Sequence, residues 1–125
     1  MLTIHEFDDR MLRKTVEQQE IPAEIRSAAP RVAVIATQDW CPDWKWMDQW
    51  LQKEAAADAT ENSTRPDVSV YVVVYNKRDL RQEFMQLKET VWENGYIPYV
   101  RYYRDGAFAG DSNQVSRDAF YQRFE

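Results

Sequence analysis

The sequence predicts an α/β fold: a mixed central sheet of about four strands, flanked by helices on both faces, with an N-terminal helical extension. Three observations carry that expectation. Val32 to Thr37 is a continuous apolar run without alternation, and Val68 to Tyr75 is β-branched and aromatic with no breaker, so both read as central strands covered on both faces. Large apolar residues recur at helical spacing between and after them, and strands that alternate with helices pair in parallel through right-handed crossovers. Near the end, Tyr96 to Tyr103 and Ala107 to Ala109 flank Arg104-Asp105-Gly106, a hairpin that adds an antiparallel edge.

Taken in order, Thr3-Ile4-His5-Glu6 matches a capping box, with Ile4, Phe7, Met11 and Val16 near helical spacing behind it, and predicts an amphipathic helix. His5 lies among acids on its polar side and reads as a solvated surface residue. Pro22 restarts a turn of helix that Ala28-Ala29-Pro30 ends, closing a helical segment over residues 1–30 ahead of a core over 31–125 in a single domain. After the first central strand, Met47, Trp50 and Leu51 mark the inner face of a helix, with Trp46 and Trp50 four residues apart. Trp44 is open between core and site.

Ala59 to Asp67 reads as a polar loop broken by Pro66. Asp79 with Gln82 predicts the cap of the next helix, whose apolar face is Leu80, Phe84, Leu87 and Val91, and Asn94-Gly95 its left-handed end. Gly110 and Asp111 leave the sheet, and Val115 with Phe120 staples an N-cap at Ser116, so the last helix turns Phe120 and Phe124 inward.

Composition excludes several function classes. The 125 residues carry a net charge of −5 with basic side chains scattered, which gives a nucleic-acid backbone no footprint. No apolar run approaches the ~18 residues of a membrane span, and the acidic N-terminus lacks the features of a signal peptide, so a cytoplasmic location with no membrane contact is expected. One cysteine excludes an internal disulfide. With a single, distant histidine it makes no familiar zinc site, so neither a metal nor another cofactor is expected.

The lone cysteine sits at a junction with chemistry. Ala33 to Thr37 passes through Gln38-Asp39-Trp40 into Cys41-Pro42-Asp43-Trp44-Lys45-Trp46-Met47, with Pro42 suited to the first helical position. Backbone N–H groups at a helix start lack intrahelical partners and face a positive dipole end, a favourable place for an anionic sulfur. Asp43 and Lys45 act on such a sulfur in opposite directions.

Trp40, Cys41 and Lys45 resemble the active-site segment of the thioredoxin family, an apolar strand followed by Trp-Cys-x-x-Cys-Lys and a helix, with Trp44 where the second cysteine stands. Pro42-Asp43 is similar to relatives that carry Trp-Cys-Pro-Asp-Cys. The resemblance runs from Pro30 to the C-terminus and implies the thioredoxin-like fold. It makes Ile97-Pro98 the dipeptide with a cis bond opposite the cysteine and Gly110 the glycine that lines the same groove. It also marks departures: Ile35 stands where the family buries an acid, Gln49 replaces a helix-bending proline, and the leading strand is missing.

Three readings of function follow. In the first, Cys41 is a single active-site thiol that forms mixed disulfides with protein or low-molecular-weight thiols and disulfides, glutathione among them, and needs an external thiol for release. In the second, redox chemistry is lost and Trp40, Pro42, Asp43, Trp44, Ile97, Pro98 and Gly110 line a groove that binds an extended segment. In the third, Cys41 is a peroxide sensor that passes through sulfenic acid.

Overall fold

The structure is a computed structural model that describes residues 1–60 and 66–125, except for the side chain of residue 60. Five strands form one sheet: β1 (Leu2–Glu6), β2 (Arg31–Thr37), β3 (Val68–Val74), β4 (Tyr99–Arg104) and β5 (Ala107–Ser112). Their order is β1-β3-β2-β4-β5, with β1 and β2 parallel to β3, β4 antiparallel to β2, and β5 antiparallel to β4. The helices are α1 (Asp9–Gln18), α2 (Ala23–Arg26), α3 (Pro42–Thr60), α4 (Arg81–Gln86) and α5 (Arg117–Gln122). A 3₁₀ turn, Tyr75–Lys77, precedes α4, and a π-helical turn, Leu87–Val91, extends it.

The unalternating run of β2 is explained by two cores. Ala33 and Ile35 point into one, with Val70, Val100, Tyr102, Met47 and Leu51 of α3, and Phe120 of α5. Val32, Val34 and Ala36 point into the other, with Phe7, Leu12, Ile25, Val73, Phe84 and Tyr103. Period-2 alternation in a strand with helices on both sides leaves no polar face. The α3 and α5 packing is fixed by Trp50, whose indole N–H donates to the Val115 carbonyl at 3.1 Å and whose ring meets Phe120 edge-on at 5.4 Å.

The N-terminus differs from the sequence expectation. Residues 2–6 form β1, paired in parallel register from Leu2 opposite Val68 to Glu6 opposite Val72, so the sheet has five strands and the leading strand is present. The helix begins later, at an N-cap Asp8 whose carboxylate accepts from the Met11 N–H at 2.8 Å. Pairing with a distant strand outweighs a local capping pattern, and Asp58 of α3 secures it by accepting from the Leu2 N–H at 2.7 Å.

Other boundaries shift for identifiable reasons. The α3 helix runs through Thr60 rather than stopping before Ala59; the middle of the expected loop, residues 61–65, lies outside the described residues. The α4 helix starts at Arg81, with Leu80 rather than Asp79 at its N-cap. Glu93, not Asn94 or Gly95, takes the left-handed conformation after the π turn, at φ 56°. The β5 strand continues through Gly110 and Asp111 to Ser112. The β4–β5 turn is as expected: Asp105 and Gly106 both have positive φ, 51° and 83°, the geometry of a two-residue hairpin. A side chain at Gly106 would also meet Ser27, whose Oγ lies 2.8 Å from where its Cβ would be.

Candidate functional site

The site forms where β2 hands over to α3. Pro42 is the first helical residue, and Cys41 precedes it with its carbonyl accepting from the Lys45 N–H at 3.1 Å, so the cysteine occupies the cap position. The turn leading to it is clamped from the end of β3. Asn76 and Asp39 exchange hydrogen bonds, Asn76 Nδ2 donating at 2.8 Å and the Asp39 N–H at 3.2 Å, while Lys77 pairs with Asp39 at 2.8 Å. The hydrogen bond from Lys77, then that from Asn76, hold the Asp39 carboxyl below its ordinary range. Gln38 bridges inward and outward: its amide donates to the Tyr75 hydroxyl at 3.2 Å and accepts from the Trp40 indole N–H at 2.6 Å. Burial pushes the Tyr75 phenol up.

Cys41 is 5% exposed, and its Sγ–H donates to the Ile97 carbonyl at 3.7 Å. The Ile97-Pro98 peptide bond is cis. Trp44 is buried in the same core cluster as Cys41, with Ile97 packed against it, whereas Trp40 is 59% exposed despite its tethered indole; Pro42 and Asp43 face solvent. Ile35 is fully buried in that cluster too, so the inner side of the thiol is apolar.

A side chain from beyond β5 reaches Pro98. The Asn113 amide donates to the Pro98 carbonyl at 3.1 Å and exchanges hydrogen bonds with the Asn94 amide. Gly110 pairs with Tyr102, four residues beyond Pro98, at φ 131°. A surface cavity beside the turn is lined by Gln38, Tyr75, Asn76, Arg81, Gln82 and Met85 rather than by Cys41. Asn94, Asn113, Gln38 and Asn76 carried no signal in the sequence beyond their amides, since amide pairing across a fold has no local pattern. Among the described residues no cluster of three or more His, Cys, Asp or Glu side chains could hold a metal, and no helix is long and apolar enough to cross a membrane.

No protein-family model and no curated protein matches the chain. Solved structures do. Thioredoxin O1 from Arabidopsis thaliana in its oxidized state superposes with a TM-score of 0.61 at 11% identity, over 99% of this chain and 98% of that one. Trxlp from Edwardsiella tarda gives 0.56 at 15% identity, over 98% of both chains. A mutant thioredoxin from Halobacterium salinarum gives 0.56 at 14%, over 82% of this chain and 79% of that one. The chain has the thioredoxin fold, with one cysteine at the junction of β2 and α3.

Proposed function

We propose that the protein is a monothiol member of the thioredoxin-like group, in which Cys41 forms mixed disulfides with protein or low-molecular-weight disulfides such as oxidised glutathione. The observation that carries this reading is the placement of Cys41 at the start of α3 with Sγ against the Ile97 carbonyl. The thiolate of Cys41 attacks one sulfur of the incoming disulfide; the Sγ–S bond forms as the old S–S bond breaks, and the departing thiolate takes up a proton. Trp44 offers no second thiol, so an external thiolate then attacks the captured sulfur, carries it away as a new disulfide and returns Cys41 to its thiol form.

The groove partners in this proposal are Trp40, Pro42, Asp43, Trp44, Ile97, Pro98 and Gly110, and the protein works in the cytoplasm. A second reading, a redox-inactive binding module, is favoured by the burial of Cys41 together with the exposure of Trp40 and Tyr96, the residues that precede Cys41 and Ile97. Incubating the native protein with oxidised glutathione and measuring its intact mass separates the two. The monothiol reading expects one glutathionyl adduct that Cys41→Ser abolishes and excess reduced glutathione removes. An adduct formed only after unfolding would sink it and leave the binding module.

A further inference from the structure

We infer that Asn94 and Asn113 form a clasp that holds the Ile97-Pro98 segment against Cys41, which makes them positioning residues for the thiol; the inference rests on the reading of Cys41 as the reacting group. The two side-chain amides exchange hydrogen bonds, Asn94 Nδ2 donating to Asn113 Oδ1 at 3.1 Å and Asn113 Nδ2 to Asn94 Oδ1 at 2.9 Å. Each amide has a further bonding direction, and each turns it on the same backbone segment. Asn94 Oδ1 accepts from the Tyr96 N–H at 3.0 Å, and Asn113 Nδ2 donates to the Pro98 carbonyl at 3.1 Å. These partners fix which way both amides face, since only an oxygen can accept from Tyr96 and only a nitrogen can donate to Pro98.

The clasp is itself anchored on both sides. Lys88 Nζ donates to the Asn94 carbonyl at 2.8 Å, and Ser112 Oγ, 2.8 Å from the Tyr102 hydroxyl, donates to the Asn113 carbonyl at 3.1 Å. The segment is therefore gripped before Ile97 and after it, leaving the Ile97 carbonyl aimed at Sγ. With either amide gone, one backbone group of the segment, the Tyr96 N–H or the Pro98 carbonyl, loses its partner, the surviving amide loses the mate that holds it, and the carbonyl that caps the thiol is free to swing away.

The test is the rate of Cys41 alkylation by iodoacetamide in the folded wild type, Asn94→Ala, Asn113→Ala, the double variant and Leu12→Ala. Leu12→Ala serves as the control for stability alone, because Leu12 is buried in the opposite core. Each asparagine variant is expected to react roughly five to ten times faster than wild type without denaturant, about what the loss of its one hydrogen bond to the segment gives. The double variant should be no faster than the faster single one, because both act through one clasp. These rates should stay flat in urea below the unfolding transition, while Leu12→Ala reacts no faster than wild type there.

Asn113→Asp keeps the size but loses the donor to Pro98, and should behave like Asn113→Ala if that variant folds poorly. Unchanged rates, additive effects in the double variant, or reaction that follows global unfolding would each overturn the inference. Iodoacetamide requires no disulfide exchange, so this result stands apart from whether glutathione is captured.

Discussion

Trp44 does two things that a second cysteine in its place could not. It fills the core beside Cys41, at 8% exposure, and under the monothiol proposal it leaves no internal thiol to release a captured disulfide half. Ile35, fully buried below, supplies packing and no proton acceptor. Shielding of the thiol is therefore steric and can be tested by truncation. Trp44→Ala is expected to cost about 3 to 5 kcal/mol of stability, as buried tryptophan-to-alanine changes do, and to speed Cys41 alkylation in the folded state. Chemical denaturation and iodoacetamide kinetics measure the two effects; a variant that loses stability while its thiol stays protected would show that Ile97, not Trp44, does the shielding.

Elements whose identity is local were legible, and those decided by distant partners were not. The runs of β2 and β3, the Pro42 start of α3, the Asp105-Gly106 hairpin and the Ser116 cap follow from residues within a few positions, and the structure contains all of them. In the same way the cysteine side of the site could be read from Trp40 to Lys45. On its opposite side the resemblance supplied Ile97-Pro98 and its cis bond, but the pairing of Asn94 with Asn113 could not be read, because the two meet only after the sheet has formed. The β1 strand failed for the same reason: Thr3 to Glu6 satisfies a capping box, and only the edge of β3 makes it a strand.

The π turn after α4 shows a subtler failure. The apolar spacing Leu80, Phe84, Leu87, Val91 assumes an unbroken α-helix, but a π turn carries more residues per revolution and shifts the phase, so Val91 emerges to 47% exposure while Lys88 turns inward to 1%. Burial, set slightly against the charge of Glu89, lowers the Lys88 ammonium to about 8. Between that value and the ordinary 10.5 the unfolded chain binds the extra proton. Stability from this group therefore rises with pH: the cost of burying the ammonium is full below about 8 and is relieved above it. In urea unfolding at matched pH values, wild type should gain about 1 to 2 kcal/mol relative to Lys88→Met on going from neutral pH to ~9.5. A constant difference between the two proteins would mean the ammonium is better solvated than its burial implies.

Across the whole sheet, β4 concentrates a titration of opposite sign. Tyr99, Tyr102 and Tyr103 are buried on its two faces, with hydroxyls tied to Asp111, Ser112 and Glu20, and Arg101 bonds Tyr99, Tyr103 and Glu20 while lying between the rings of Trp92 and Phe108 at 4.3 Å from each. Burial is the main cause that pushes Tyr99 and Tyr102 up to about 12 and Tyr103 higher still; the nearby Arg101 charge pulls Tyr99 and Tyr103 back only in part. The folded protein holds these protons above the pH at which an unfolded tyrosine, near ~10, gives them up.

Their stabilisation is therefore complete below ~10 and is lost as pH rises toward 12, on the order of 1 to 3 kcal/mol for each phenol. Because β4 joins β2 to β5 and backs both cores, the loss cannot stay local. Alkaline titration should give tyrosinate absorbance from these three residues in one cooperative step that coincides with loss of the far-ultraviolet circular dichroism of the sheet. Tyr103→Phe should remove one ionisation and move that step to higher pH, provided the hydrogen bonds Tyr103 makes to Glu20 and Arg101 matter less to stability there than the proton it would lose. Gradual ionisation near the ordinary value with the sheet intact would contradict the closed packing of β4 against both cores.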